Sequence, residues 1–222
     1  RVYFFQQWDS VKKNSTFRLI ELLRLELDRL QVGLTARQLF PKMPLVKFAP
    51  DDRNCPCGGE RKVLKTHHRV IATLAIGQIL CHETITKCDK CRGAAHSEQL
   101  RRLVPQGGKF GFDIIIHIGR ELYLHSRSDL EIQSQLVEKN IPISVREIGY
   151  LGAKFITYLA LAHKCAQGSI ETLLTSNGGY ILHLDGTCQG DSPHLMTALD
   201  GLSKIVLGNV KLPSENAKMI VP

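Results

Sequence analysis

Cys55-Pro56-Cys57-Gly58-Gly59 and Cys88-Asp89-Lys90-Cys91-Arg92-Gly93 bracket a run of β formers whose reading decides the fold. Between the pairs lie Lys62-Val63-Leu64-Lys65-Thr66, His68 to Leu74 and Gln78 to Thr86, with Gly77 at a turn. Two short cysteine loops joined by a β-meander describe a zinc ribbon. Thiolates suit Zn²⁺, which accepts a tetrahedral S₄ shell without redox chemistry, and the glycines let each loop turn tightly. Cys55, Cys57, Cys88 and Cys91 are therefore the expected zinc ligands. The first pair is CxC rather than CxxC, so His67, His68, Cys81 or His82 remain as substitute ligands. The competing reading is a set of reduced core cysteines. The site is expected to be structural, with metal binding coupled to folding.

Working outward, four of the seven cysteines sit in these pairs, which fits a cytosolic zinc protein better than a secreted disulfide scaffold. Hydrophobic residues make up 43% of the chain and no apolar run is long enough to span a membrane. The charge is uneven. Residues 1–109 hold 20 Lys+Arg against 10 Asp+Glu, whereas residues 110–222 hold 9 against 11. A basic front half suits a polyanion, whose condensed counterions Lys and Arg displace, although a merely soluble basic surface has the same composition. A cytoplasmic, nucleoid-associated protein is expected. The chain begins without Met and stops at Ile220-Val221-Pro222, where a new element is expected, so a longer parent protein is anticipated.

Before the ribbon, Leu19, Leu22, Leu23, Leu27 and Leu30 recur at helical spacing from Phe17 to Val32, with Thr16 and Gly33 as caps. This predicts a packing or dimerising helix. Pro41, Pro44 and Pro50 then mark a linker. After the ribbon and the loop Pro105–Gly108, three helices are expected. The first runs from Phe112 to Leu124 with Ile115, Ile116, Ile118, Leu122 and Tyr123 apolar. The second starts at Ser128 with Leu130, Ile132, Leu136 and Val137 inward. The third opens on a Ser144–Glu147 capping box and runs to His163. This is a helix-turn-helix candidate in which Arg146, Tyr150, Lys154 and Tyr158 face DNA, joined by Arg101 and Arg102. A plain three-helix bundle with solvated cations is the alternative. Gly149 and Gly152 cost helix propensity and suggest close approach of a neighbour.

Ser169 is expected to cap a short helix to Ser176. Gly178-Gly179 then leads into Tyr180-Ile181-Leu182-His183-Leu184-Asp185-Gly186-Thr187. A buried apolar strand ending on an acid suggests a carboxylate held by Mg²⁺ or Mn²⁺. An Asp-Gly turn is the bland reading. Strands at His194–Leu199 and Ser203–Lys211, joined by Asp200-Gly201, complete a meander.

In these residues the chain resembles the N-terminal part of bacterial insertion-sequence DDE-type transposases, nearest in layout to the ISL3-like group. The ribbon with Leu80-Cys81-His82-Glu83-Thr84, the segment Ile148-Gly149-Tyr150-Leu151-Gly152, and Gly179 to Thr187 carry the likeness. The resemblance implies an α+β, multi-domain chain. Residues 1–54 would form an N-terminal helical segment and linker, 55–104 the zinc ribbon and 105–168 a helix-turn-helix domain. Residues 169–222 would begin an RNase H-like catalytic domain. It also implies binding of double-stranded transposon ends, a homodimer or higher assembly in synapsis, and two-metal strand transfer with Asp185 as the first metal-binding carboxylate. The other two carboxylates are missing, since Asp191, Asp200 and Glu215 do not fit the pattern, so the fragment alone is expected to be inactive. A non-catalytic zinc-containing DNA-binding regulator derived from a transposase, or a zinc-stabilised protein-interaction module, are the alternatives.

Overall fold

The computed structural model describes residues 18–20, 22, 23, 25, 26, 42–188, 190 and 192–214. The chain is α+β and divides into two compact units after Ala160. Among the described residues no helix is long and apolar enough to cross a membrane.

The first unit is built on a sheet of order β1-β3-β2, with β4 pairing β3. Strand β2 (Arg61–Thr73) and strand β3 (Gly77–Cys88) form a long antiparallel hairpin, so the two expected runs before the turn are one strand. A bulge between Val63 and Lys65 re-phases it. Gly77 turns the hairpin at φ 86°, and a Cβ there would press on the backbone oxygen of Lys139. Only glycine meets both demands.

Strand β1 (Leu45–Phe48) corrects the expected linker: it pairs parallel with β3, Leu45 opposite Leu80, and buries Val46 and Phe48. Its four residues lie between Pro44 and Pro50, so proline punctuation hides a strand that only the neighbour's register defines. Strand β4 (Ala94–Ala95) follows the second cysteine loop. It leads into helix α1 (Glu98–Leu103), which Ser97 caps by accepting from the Leu100 amide, and which the sequence pattern does not announce. Its Leu100 and Leu103 pack with Val46, Phe48, Ile71, Ile79 and Cys81 into one core. Of the expected N-terminal helix, the described residues between 18 and 26 are helical; Thr16, Leu27, Leu30 and Gly33 lie outside the described residues. Ile20 packs on the core while Leu19, Leu22 and Leu23 face solvent, which reverses the expected apolar face.

Helix α2 (Phe112–Tyr123), helix α3 (Asp129–Glu138) and helix α4 (Val145–Cys165) form a second core in the same unit. Ile114, Ile115, Ile118, Ile132, Leu136, Ile148 and Leu151 fill it, closed by Ile141 and Ile143 from the α3–α4 turn. Leu130 and Val137, expected inward, are exposed, as is Tyr123 of the apolar set on α2. Reciprocal capping boxes start α3 (Ser128 with Glu131) and α4 (Ser144 with Glu147). Gly152 and Gly119 let α4 and α2 approach: a Cβ on Gly119 would enter the Phe155 ring, and one on Gly152 would strike Leu122. Gly149 has no such neighbour.

Asp113 ties the helical core to the ribbon. Its carboxylate accepts from the Leu74 amide at 2.6 Å and from its own helix at the Ile114 amide, 2.8 Å. The backbone adds Ala72 N–H to Lys109 O and Gly111 N–H to Ala72 O, both at 2.8 Å.

The second unit continues from Leu161. Helix α5 (Gln167–Ser176) starts two residues before the expected Ser169 and has no side-chain cap. Strand β5 (Leu182–Thr187), strand β6 (His194–Asp200) and strand β7 (Val206–Leu212) form the expected meander, order β5-β6-β7, with Asp185 opposite Thr197. His163 Nε2 lies 2.7 Å from Val206 O.

Candidate functional site

The two cysteine loops are folded by their own backbones. Cys55 N–H donates to Gly59 O at 2.9 Å and Gly58 N–H donates to Cys55 O at 2.8 Å, with Gly58 at φ 76°. In the second loop Cys88 N–H donates to Gly93 O at 3.0 Å, and Arg92 takes φ 56°. The loops are pinned together by Asp89 N–H to Glu60 O and by Glu60 N–H to the Asp89 carboxylate, each 3.0 Å. Lys90 Nζ closes the far side on Gly58 O at 3.0 Å. Gly59 sits where any Cβ would meet Cys88 Sγ and the Asp89 carboxylate.

The result is convergence of four sulfurs. Cys55 and Cys91 Sγ are 3.6 Å apart, Cys57 and Cys88 Sγ 3.4 Å, and all four lie within 4.8 Å of one another. A tetrahedral zinc with Zn–S near 2.3 Å requires sulfur–sulfur separations of about 3.8 Å. The cluster fits that shell, and the four cysteines can hold a metal such as zinc. CxC spacing suffices because Gly58 and Gly59 complete the turn. The substitute ligands are elsewhere. Cys81 is fully buried in the ribbon core, where burial pushes its thiol up to about 11 against the nearby Arg69, and His68 and His82 stack edge-on at 3.9 Å.

The cluster is electrostatically uneven. The backbone hydrogen bond at Cys57 pulls Cys55 down to about 6, and the Gly59 amide lowers Cys57. Gly93 N–H also favours the Cys91 thiolate. There, hydrogen bonds shared with the thiols of Cys55, Cys88 and Cys57 outweigh it and push Cys91 up to about 11. A soft divalent cation accepts four thiolates together and removes that conflict.

On α4, Arg146 and Tyr150 are exposed and Lys154 Nζ lies 4.7 Å over the Tyr150 ring. Tyr158 is different: it is half-buried, packed edge-on against Phe112 with ring centroids 5.6 Å apart, so it belongs to the helical core. Arg102 pairs with Glu98 at 3.1 Å within α1, whereas Arg101 lines a cavity. That cavity, of about 370 Å³, opens between β2 and α1 and is bounded by Lys65, His67, Arg69, Glu83, His96 and Arg101 among others. Apart from Arg101, sequence reasoning passes over these residues as nucleic-acid contacts. The available signal is Lys65-x-His67-x-Arg69, three nitrogenous side chains at strand period on one face.

Asp185 stands within β5, not at its end, and is exposed, as are Leu182 and Leu184. The premise of a buried strand is corrected. Among the described residues Asp185 belongs to no group of three or more potential metal ligands, so the residues present do not build a Mg²⁺ or Mn²⁺ site. Asp191 and Glu215 lie outside the described residues. Asp200 is buried and structural. Its carboxylate accepts from Ser203 Oγ at 2.5 Å and from the amides of Ser203, Leu202 and Ile181, which hold it well below the usual carboxylate range. Comparison with models of known families, with curated proteins and with solved structures finds no match for this chain.

Proposed function

We propose that this chain is the DNA-binding portion of a transposase-like protein, stabilised by a structural Zn²⁺ on Cys55, Cys57, Cys88 and Cys91. The observation that carries it is the Arg146–Tyr150–Lys154 row on α4, with Arg146 and Tyr150 exposed and Lys154 half-buried against the Tyr150 ring. A capping box starts that helix, a short turn precedes it, and it sits in the same compact unit as a four-cysteine ribbon. An Arg, an aromatic ring and a Lys at i, i+4 and i+8 offer phosphate and base-edge contacts from one side of a helix. Zinc supplies the constraint that keeps the ribbon folded; its shell of four thiolates leaves no position for a substrate. End recognition, synapsis by paired copies and the RNase H-like assignment of the second unit belong to the same proposal. Asp185 would be the first carboxylate of a divalent-cation site whose other ligands are not among the described residues.

The test is a duplex titration followed by fluorescence anisotropy across a salt series. Binding should weaken linearly in log K against log [NaCl]. Arg146→Ala with Lys154→Ala should make the slope shallower by about 0.9 for each phosphate that is no longer neutralised. Absence of salt-dependent duplex binding overturns the proposal. A second reading is a DNA-binding regulator without catalysis. Asp185→Asn in the complete gene product separates the two. Loss of strand cleavage with end-binding retained supports the transposase; a wild-type gene product that binds ends and never cleaves supports the regulator.

A further inference from the structure

We infer that the cavity between β2 and α1 is a seat for a backbone phosphate of nucleic acid, a second binding point separate from the α4 face. It rests on the DNA-binding function proposed above. In antiparallel pairing, residues directly opposite share a face. Lys65, His67 and Arg69 on β2 lie opposite Ile85, Glu83 and Cys81, the core-facing side of β3. Helix α1 covers part of that face through Leu100 and Leu103, and the cavity opens where its cover stops. Three permanent cations, Lys65, Arg69 and Arg101, therefore surround a space containing one carboxylate, Glu83.

Glu83 is already engaged. It is buried and accepts from His96 Nδ1 at 2.9 Å, which fixes the imidazole and leaves the cations without a carboxylate partner in the cavity. The Arg69 guanidinium is held by its Nη1 donating to Gly108 O at 2.8 Å. Its Nε is buried and has no hydrogen-bond acceptor. A buried donor left unpaired is costly, and a guanidinium fixed on the cavity wall supplies positive charge for a phosphate oxygen. Metal cations are disfavoured by the surrounding positive charge, and a neutral ligand leaves that charge unanswered. Strand β2 ends the strand order of its sheet, and segment 109–111 bridges its far end at Ala72.

The experiment uses the full chain loaded with zinc. Lys65 and Arg101 are exposed, so Lys65→Gln with Arg101→Gln leaves the core intact. A control pair, Lys62→Gln with Lys87→Gln, removes the same charge from outside the cavity. Duplex affinity is measured across a salt series for all three proteins. The cavity pair should flatten the slope of log K against log [NaCl] by about 0.9 and weaken binding roughly tenfold near physiological salt, with a smaller change in the control. In parallel the Arg69 Nε–Hε resonance should shift on adding duplex. Unchanged slope in the cavity pair, with wild-type binding intact, overturns this inference and spares the function proposed above. No duplex binding by the wild type overturns both. A resonance that moves with inorganic phosphate but not with duplex makes the cavity a free-anion site and overturns the nucleic-acid assignment.

Discussion

Gly59→Ala is a methyl-sized test of the zinc ribbon. The added Cβ would lie 2.5 Å from Cys88 Sγ, 2.6 Å from the Asp89 carboxylate oxygen and 3.1 Å from Lys90 Cβ. Ordinary van der Waals separation starts near 3.5 Å, so the sulfur or its loop must retreat by about 1 Å. Metal–ligand distances tolerate only about 0.2 Å, so that retreat removes Cys88 from a good S₄ shell. The Asp89 oxygen that would be displaced also bonds the Glu60 amide, one of the three bonds joining the loops. The expected result is a 10- to 100-fold loss of zinc affinity, the scale seen when groups supporting metal ligands are disturbed. Overpacking should add a destabilisation of about 1–3 kcal/mol. Zinc affinity is read by competition with a chromogenic chelator, and stability by thermal melting. Gly58→Ala is the internal control: it carries φ 76°, and its nearest atom, Lys90 Nζ, is 4.0 Å away. Strain of about 1–2 kcal/mol without a clash should lower the melting temperature and leave zinc affinity nearly intact. A Gly59→Ala protein that holds zinc as tightly as the wild type would refute the close-packed account of the two loops.

Three other outcomes are expected. Gly119→Ala should destabilise by about 1–3 kcal/mol despite better helix propensity, because its Cβ enters the Phe155 ring, whereas Gly149→Ala should stabilise by about 0.5–1 kcal/mol; paired denaturant titrations with the opposite ranking would contradict the α2–α4 packing. Burial pushes the Asp113 carboxyl up to about 6, against amide hydrogen bonds from Leu74, Ile114 and Ala75 that favour its charge. The folded chain thus keeps a proton that the unfolded chain releases near 3.9; this contribution is complete below that value and is lost as pH rises through 6, about 3 kcal/mol in all. Asp113→Asn should flatten that part of the pH–stability curve, and identical curves for the two proteins would disprove it. Asp200→Ala should leave the amides of Ile181, Leu202 and Ser203 unpaired and loosen the β6–β7 loop, seen as faster amide exchange there with the first unit unchanged.

Much of the local architecture is legible in the sequence because local interactions are written in spacing. The cysteine pairs, the turn at Gly77, the capping box at Ser144 and the C-terminal meander depend on residues a few positions apart. The misreadings share a different cause. Leu130 and Val137 have helical spacing and yet face solvent, because a helix's buried stripe is chosen by what packs on it. β1 reads as linker because its identity as a strand lies in β3. Tyr158 is at the right interval to join Arg146 and Lys154 on one face, and the Phe112 ring takes it instead.

The amino-acid sequence by itself determined the chemistry available: four thiolates in two tight loops, three capped or periodic helices, a basic front half and a lone strand carboxylate. Only the tertiary structure decided which groups act together. It drew four sulfurs to within 4.8 Å and left Asp185 exposed and outside any three-ligand cluster among the described residues. It also placed Arg69 in a cavity with a donor unpaired. Periodicity specifies which face a residue shares with its neighbours. What lies across from that face depends on register and packing between segments far apart in the chain.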